Sequence, residues 1–306
     1  MDPVIREELS RIMAEPVQWD CPLAGYTSFA IGGPAEALVK VQDRRELATL
    51  LEFLRRTGVP WRIIGKGTNI LVRDEGFAGV IILLGDGFRQ LEFGPCRSGR
   101  CVVAIGSGCS LAKAAMVCMD RGLTGLEFAG GIPGTVGGAV IMNAGAWGGE
   151  MAAVIRTVTV LDPDGEQILS RDRLHFGYRC WRDFPELCGR AVVVAVELGL
   201  MEDDPEEIRR RHAALQARRR AGQPSGQGNA GSFFKNPAHA GAGRLIEAAG
   251  LKGARIGGAM VSERHANFLV NTGGATAADV LALMRLVQEK VRQDSGVELE
   301  PEVHFL

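Results

Sequence analysis

The sequence has few of the residues that build metal centres and disulfide scaffolds. Only five histidines occur in 306 residues, and the seven cysteines include no Cys-x-x-Cys pair. A structural zinc site needs such a cluster, and a disulfide scaffold needs many paired cysteines in a short chain. We therefore predict no metal site, and we expect the cysteines to be ordinary, partly buried thiols.

An excess of charge of one sign and a long apolar run are also missing. Lysine and arginine number 35, aspartate and glutamate 36, and the formal net charge is −1. Such a balance provides no global field to attract nucleic acid or an anionic membrane. The apolar runs, such as residues 191–196, are much shorter than the roughly 20 residues that span a bilayer, and the charged N-terminus is unlike a signal peptide. We expect a cytoplasmic protein that binds neither nucleic acid nor membrane.

Glycine, by contrast, is abundant, although neither common nucleotide-binding signature is present. The chain contains no Gly-x-x-x-x-Gly-Lys-Ser/Thr and no Gly-x-Gly-x-x-Gly that is followed about 20 residues later by an acid, which disfavours P-loop and Rossmann folds. Its 41 glycines are nearly twice the usual fraction of about 7%. They cluster beside apolar segments, at 65–67, 106–108, 130–138, 145–149 and 226–231. Such clusters indicate tight turns or backbone that closely approaches a ligand.

Periodicity predicts a mixture of helices and short strands without internal repeats. Helices are predicted between Asp43 and Gly58, over 110–121, after Glu202 and over 277–292, and strands over 61–64, 70–73, 80–84, 102–105, 155–161 and 192–198, with an extended segment over 297–306. The acids of 202–207 would begin a helix that Arg218, Arg219 and Arg220 end. These arginines are either a solvated helix end or an anion site, and a domain boundary is predicted near 202.

Three segments contain residues that could bind a ligand or take part in catalysis. The loop 65–69 could form an anion-binding nest from its amides, or an ordinary turn. The run 130–146 could let a flat ligand lie on its backbone, with tight backbone packing as the alternative. Segment 231–237 places a hydroxyl, an ammonium and a carboxamide together. It is no nucleophile elbow, so residue chemistry alone favours Ser232 as a turn residue or helix cap over Ser232 as a catalyst.

Together these motifs resemble the UDP-N-acetylenolpyruvoylglucosamine reductases, flavoproteins that make UDP-N-acetylmuramate for bacterial peptidoglycan. The resemblance extends from about residue 27 to residue 306 and is carried by 31–35, 65–72, 131–146, Tyr178-Arg179, 231–237, 265–268 and 299–303. It implies an α+β protein with two FAD-binding subdomains of the vanillyl-alcohol-oxidase type and a third α+β substrate-binding domain. The corresponding segments would be 1–78 with 297–306, then 79–202, then 203–296.

The resemblance also assigns roles to individual residues. Ser232 would donate a proton, while Arg179 and Glu302 would stabilise charge on the substrate carboxylate. Residue chemistry alone leaves Arg179 as a possible surface arginine and Glu302 as an exposed carboxylate. FAD would be bound by Gly65, Lys66, Gly67, Thr68, Asn69, Gly131, Pro133, Gly134, Thr135, Gly137, Gly138 and Asn143. The substrate would be bound by Tyr178, Arg220, Lys235 and Asn236.

The same resemblance implies non-covalent FAD, NADPH as co-substrate, UDP-N-acetylglucosamine enolpyruvate as substrate, and a monomer of the compact type that lacks a longer substrate-clamping loop. No histidine precedes His175, so none lies beside the pyrophosphate loop to attach FAD. His265 is expected to make structural hydrogen bonds. One departure is Trp181, where the family usually has serine. The alternatives are an FAD-linked oxidase of a small alcohol or sugar, and a non-catalytic flavin or nucleotide-sugar binding module.

Overall fold

A computed structural model describes residues 1–306. The chain divides into two compact units. Unit 1 comprises Met1–Trp19, Ala37–Gly65 and Gly79–Arg218, and unit 2 comprises Asp20–Glu36, Lys66–Ala78 and Arg219–Leu306. Each unit is assembled from three chain segments, and one of the segment boundaries falls between Ala78 and Gly79. The three-part organisation stays a prediction.

The secondary structure is the mixture of helix and strand that the periodicity predicts. The α-helices are α1 Pro3–Ile12, α2 Arg44–Thr57, α3 Leu111–Asp120, α4 Val136–Ile141, α5 Phe184–Leu187, α6 Pro205–Gly222, α7 Ala242–Ala248 and α8 Ala277–Ser295. The strands are β1 Gln18–Pro22, β2 Pro34–Val41, β3 Trp61–Ile63, β4 Ile70–Leu71, β5 Phe77–Leu84, β6 Leu91–Arg97, β7 Arg100–Gly106, β8 Leu123–Thr124, β9 Gly145–Ala146, β10 Gly149–Glu150, β11 Ile155–Asp162, β12 Gly165–Ser170, β13 Phe176–Gly177, β14 Cys180–Trp181, β15 Val192–Glu202, β16 Gly228–Asn229, β17 Arg255–Ile256, β18 Ala259–Val261, β19 Leu269–Asn271 and β20 His304–Phe305. None of the helices is long and apolar enough to cross a membrane.

The helix predicted after Asp43 is confirmed as α2. The Asp43 carboxylate accepts a hydrogen bond of 2.9 Å from the Glu46 N–H, and Gly58 ends the helix in the left-handed conformation. The apolar stripe of α2 is buried, with Leu47, Leu50 and Leu54 at most 2% exposed. This stripe contributes to a hydrophobic cluster with strands of the sheet β1-β2-β5-β3, where β3 and β5 are parallel.

The larger sheet of unit 1 has six strands and is antiparallel throughout. Its order is β12-β11-β15-β7-β6, and β8 pairs with the end of β15. The long strand β15 lies at the centre, and its alternate residues Val196, Leu198 and Leu200 are each 1% exposed. They contribute to a core that includes residues of α3 and α4. The glycine-rich run 130–138 therefore leads into a helix, α4, that is anchored on this core.

The expectation that all cysteines are free thiols is wrong for two of them. Cys96 and Cys101 form a disulfide, because they lie directly opposite each other on β6 and β7 with their Cα atoms 4.0 Å apart. The sequence gives no indication of this cross-strand pairing. Cys118 is an ordinary buried thiol, and burial raises its pKa to about 12.

Unit 2 contains the sheet β16-β19-β18-β17 and the helices α7 and α8, whose apolar residues share one core. The predicted final helix is confirmed as α8, which begins with a capping box between Thr276 and Asp279. Asp74 adds to this cap, since its carboxylate accepts hydrogen bonds of 2.7 and 2.8 Å from the N–H groups of Ala277 and Ala278.

A buried carboxylate connects α6 to the segment that precedes the glycine-rich run. Glu127 is 9% exposed. It accepts hydrogen bonds of 2.7 Å from the Thr124 hydroxyl, 2.8 Å from the Gly125 N–H and 2.9 Å from Arg211 Nη2. Burial alone would raise the pKa of Glu127, but these hydrogen bonds outweigh it and lower the pKa below the ordinary value of 4.5.

We expect Glu127→Gln to destabilise the protein at pH 7 by about 1–3 kcal/mol, because Arg211 loses one of its two anionic partners, Asp203 being the other, and the buried group no longer accepts its hydrogen bonds as an anion. A lowered folded-state pKa means that the stabilisation is complete above the unfolded-state pKa and is lost as pH falls through the folded-state pKa. The difference between the wild type and the variant should therefore shrink below about pH 4. Urea unfolding at several pH values measures it, with the exposed Glu92→Gln as control. Equal stabilities at pH 7 would contradict this role.

Candidate functional site

Two of the predicted cofactor loops meet within unit 1 because one of them begins with glycine. A Cβ atom at Gly65 would lie 2.5 Å from Thr135 Oγ1, so no other residue fits there without displacement. Thr135 precedes α4, and its Oγ1 accepts a hydrogen bond of 3.3 Å from the Gly138 N–H. The approach of Gly65 to the Thr135 side chain therefore depends on the missing Cβ atom. This contact places the run 130–138 beside the end of β3.

Ser107 contributes a third loop to the same place, and the sequence did not single out its side chain. Its carbonyl accepts a hydrogen bond of 2.9 Å from the Gly137 N–H. Its hydroxyl is buried but has no hydrogen-bond partner. Buried polar groups are almost always paired. An unsatisfied hydroxyl beside the glycine-rich run fits a ligand with polar atoms, as FAD has. The sequence feature that could have drawn attention to Ser107 is its position between Gly106 and Gly108.

Asn143 has a different environment from the one that its predicted role suggests. Its side chain is 1% exposed, donates a hydrogen bond of 2.9 Å to the Gly177 carbonyl and accepts one of 2.9 Å from the Ala152 N–H. Both ends of the amide are therefore used inside unit 1. Its cofactor role stays a prediction, whereas its link to the segment that carries Arg179 is direct.

Tyr178 and Arg179 form the two-residue turn of a small hairpin. Strands β13 and β14 pair through Gly177 and Cys180, which leaves the two residues between them at the tip. Arg179 has a φ of +56°, in the left-handed region that is uncommon for residues other than glycine. Its guanidinium carbon lies 4.9 Å from the centre of the Tyr178 ring, and Tyr178 is 47% exposed. The turn therefore presents a cation and a phenol side by side.

In unit 2, the second half of the predicted flavin loop lies beside the C-terminal segment. Gly67 has a φ of +60°, and a Cβ atom there would lie 2.0 Å from the Tyr26 carbonyl oxygen. Asn69 Nδ2 donates a hydrogen bond of 3.2 Å to the Glu302 carbonyl, and the Asn69 carbonyl accepts one of 3.0 Å from the His304 N–H. Two predicted site residues that are distant in sequence, Asn69 and Glu302, are therefore in contact.

The backbone segment that follows the predicted proton donor pairs with the segment that contains the predicted acid. The Glu302 N–H donates a hydrogen bond of 2.8 Å to the Phe233 carbonyl, and the Lys235 N–H donates one of 2.8 Å to the Glu300 carbonyl. These bonds pair the segment after Ser232 with the segment before Val303. Both Ser232 and Glu302 are partly exposed. They are accessible from solvent while their neighbours Phe233 and Phe234 are buried.

Asn267 holds this pairing from the other side, and sequence reasoning gave it no role. Its buried side chain donates a hydrogen bond of 2.8 Å to the Phe234 carbonyl and accepts one of 2.9 Å from the Phe234 N–H. Its carbonyl accepts a third bond, of 2.7 Å, from the Phe233 N–H. His265 accepts a hydrogen bond of 3.2 Å from the Asn267 N–H at Nδ1, which confirms the structural role expected for it.

The predicted substrate-binding residues of unit 2 have well-defined partners. Lys235 Nζ forms an ion pair with Glu300. Asn236 Oδ1 accepts a hydrogen bond of 3.0 Å from the Ala242 N–H at the start of α7. Arg220 is exposed, and its carbonyl accepts a hydrogen bond of 2.6 Å from Arg264 Nη2. The neighbouring Arg219 is partly buried, and this burial lowers its pKa. The Arg219 side chain is therefore not fully solvated, in contrast to the solvated helix end that was one of the two alternatives for these arginines.

Comparisons with known proteins show which family the chain belongs to. A family model described as UDP-N-acetylenolpyruvoylglucosamine reductase, C-terminal domain, matches residues 223–306, and an FAD binding domain model matches 35–170. A UDP-N-acetylenolpyruvoylglucosamine reductase of Syntrophus aciditrophicus is 43% identical over 306 residues, covering 100% of this chain and 96% of that protein. The chain belongs to the UDP-N-acetylenolpyruvoylglucosamine reductase family.

Other members of this reductase family are also similar to the chain over nearly its whole length. A protein of Symbiobacterium thermophilum named UDP-N-acetylenolpyruvoylglucosamine reductase 2 is 46% identical over 97% of this chain and 95% of its own length. The crystal structure of the reductase from Thermus caldophilus matches with a TM-score of 0.80 and 39% identity, covering 94% of this chain and 97% of that one.

Membership of the reductase family confirms the expected fold class and makes the protein an FAD-dependent oxidoreductase. The alternatives, a simple FAD-linked oxidase and a non-catalytic binding module, are not favoured. The C-terminal model covers segment 231–237, which an oxidase would not need.

We expect Ser107→Ala to separate cofactor binding from folding. The apoprotein should be as stable as the wild type, or more stable by about 1 kcal/mol, because an unsatisfied buried hydroxyl is removed. The affinity for FAD should fall about fivefold to tenfold through loss of one hydrogen bond. Melting of the apoprotein and titration with FAD, followed by flavin fluorescence, measure the two effects, with Ser170→Ala as control. Unchanged FAD affinity would exclude Ser107 from the cofactor site.

Proposed function

We propose that the protein reduces UDP-N-acetylglucosamine enolpyruvate to UDP-N-acetylmuramate with NADPH, in the cytoplasm, as a step in peptidoglycan precursor synthesis that serves cell shape and division. We also propose that it acts as a monomer. The observation that supports the proposal is the backbone pairing of the segment after Ser232 with the segment of Glu302, in a chain that matches the reductase family over its whole length.

FAD, when bound, supplies the hydride chemistry between NADPH and the substrate. The structure fits this cofactor, because the unsatisfied Ser107 hydroxyl and the glycine-rich run lie together. No covalent attachment is proposed, since the loops contain no histidine. The residues that would hold FAD are Ser107 and the predicted set Gly65, Lys66, Gly67, Thr68, Asn69, Gly131, Pro133, Gly134, Thr135, Gly137, Gly138 and Asn143.

Arg179 and Glu302 would stabilise the charge that develops on the substrate. Addition of hydride to the terminal methylene of an enolpyruvyl ether pushes an electron pair towards the adjacent carbon and its carboxylate. A guanidinium can hold a carboxylate with two parallel N–H groups, and it keeps its charge at every working pH. Glu302, as the neutral acid, would polarise the same group by hydrogen bonding.

Ser232 would complete the reaction by giving its hydroxyl proton to the carbon that bears the ether oxygen. A positioned proton donor contributes about a hundredfold to ten thousandfold. Lys235 is three residues further along and would ease the loss of that proton. Its ion pair with Glu300 fixes the ammonium group in place. Tyr178, Arg220, Lys235 and Asn236 are proposed to contact the substrate.

We expect Ser232→Ala to separate the two half-reactions. NADPH should still reduce the flavin at near the normal rate, because that step needs no proton from Ser232. Reoxidation by the enolpyruvyl nucleotide should slow by at least roughly a hundredfold, and Ser232→Cys should recover part of the loss. Stopped-flow absorbance of the flavin measures both steps.

Ser225→Ala, an exposed serine outside the site, is the matched control and should leave both rates unchanged. Normal reoxidation in Ser232→Ala would remove Ser232 as the proton donor. A wild-type protein whose reduced flavin is not oxidised by the nucleotide would refute the proposed function itself.

A further inference from the structure

The turn that carries Arg179 is followed by a buried tryptophan. Trp181 is 2% exposed, and its ring lies 6.1 Å from the ring of Phe176 and 5.9 Å from that of Phe184, measured between centres. Phe176 is also its direct partner across the hairpin. This aromatic cluster belongs to the core of the large antiparallel sheet. The hairpin is thereby anchored to the core only two residues after Arg179.

The indole N–H of Trp181 donates a hydrogen bond of 2.9 Å to Asp183 Oδ2. The same oxygen accepts a bond of 2.9 Å from the His175 N–H, and Oδ1 lies 2.9 Å from His175 Nδ1. One carboxylate therefore joins the residue before β13 to the second residue of β14. Partial burial would raise the pKa of Asp183, but the bonds from His175 and Trp181 outweigh it and lower the pKa. The group is ionised at neutral pH.

The opposite side of the hairpin is held by Asn143, through its bond to the Gly177 carbonyl. Hydrogen bonds therefore hold both strands of the hairpin, and the Tyr178-Arg179 turn lies between the held residues. The left-handed conformation of Arg179 costs about 1–3 kcal/mol and persists only where the surroundings enforce it. Asp183, Trp181 and Asn143 hold the hairpin on either side of this turn.

We propose that Asp183 and Trp181 are positioning residues that fix the Tyr178-Arg179 turn, so that the Arg179 guanidinium is held ready for the substrate carboxylate. This inference rests on the proposed function, in which Arg179 acts on that carboxylate. It also explains Trp181, the departure from the serine usual in the family, since the indole N–H and the large ring are both used. Preorganised geometry matters because a displacement of about 1 Å can cost about a hundredfold in rate.

The test compares Asp183→Asn and Trp181→Phe with Asp172→Asn. Asp172 is a nearby exposed acid that bonds Ser170 and does not touch the hairpin. Asp183→Asn removes the charge, and Trp181→Phe keeps a ring but removes the indole N–H. We expect oxidation of the reduced flavin by the enolpyruvyl nucleotide to slow on the order of tenfold in both variants. Reduction by NADPH should stay within about twofold of the wild type in all three.

A double variant distinguishes positioning from general damage. Arg179→Lys should itself slow reoxidation by about a hundredfold, because the planar fork is lost. If Asp183 acts through Arg179, adding Asp183→Asn to Arg179→Lys should slow the reaction by less than about twofold more. A folding defect would instead slow reoxidation by the same factor in the wild type and in Arg179→Lys, and it would also slow flavin reduction.

Additive losses, equal slowing of both half-reactions, or full activity of both single variants would overturn the inference while the wild type still turns over. If Asp183→Asn does not fold, Trp181→Phe in the two backgrounds decides by the same comparison. A wild-type enzyme that fails to reduce the nucleotide would overturn the proposed function and the inference together, and this outcome is recognised before any variant is measured.

Discussion

The close approach of one backbone segment to another, at positions where a side chain would not fit, is the constraint on which the candidate site depends. Gly65 can pack on Thr135 only because it has no Cβ atom, and the same holds for Gly67 beside the Tyr26 carbonyl. In unit 1 this contact places the run before α4 next to the end of β3. The Ser107 loop joins them through the Gly137 N–H. Part of the abundance of glycine in the sequence is therefore explained by close packing.

In unit 2, hydrogen bonds between extended backbone segments bring the candidate-site segments together. The segments of Ser232 and Glu302 pair with each other, and the buried Asn267 amide satisfies both polar groups of Phe234. Because Phe233 and Phe234 are buried on this framework, the preceding serine is held at a fixed place. Asn69, from a distant part of the chain, adds a bond to the Glu302 carbonyl. The proposed reactive groups are thus carried by backbone that these neighbours hold in place.

Much of the fold could be predicted from local signals. The caps at Asp43 and Thr276 and the apolar stripe of α2 mark helices that the structure contains at those positions. The disulfide between Cys96 and Cys101 could not be predicted, because it depends on the register of β6 with β7. The same limit applies to Asn143 and Asp183, whose partners are brought near only by the hairpin that contains Arg179. Single residues such as Ser107 become informative only when their burial and lack of partners are known.

The most direct measurement of the central claim is the position of deuterium in the product made from NADPH and UDP-N-acetylglucosamine enolpyruvate in D₂O. If a hydroxyl that exchanges with solvent protonates the carbon bearing the ether oxygen, the saturated nucleotide should carry deuterium at that carbon, as read by NMR. The account predicts this product from the wild type in anaerobic solution. Absence of a saturated nucleotide, with flavin reoxidised only when oxygen is admitted, would contradict it.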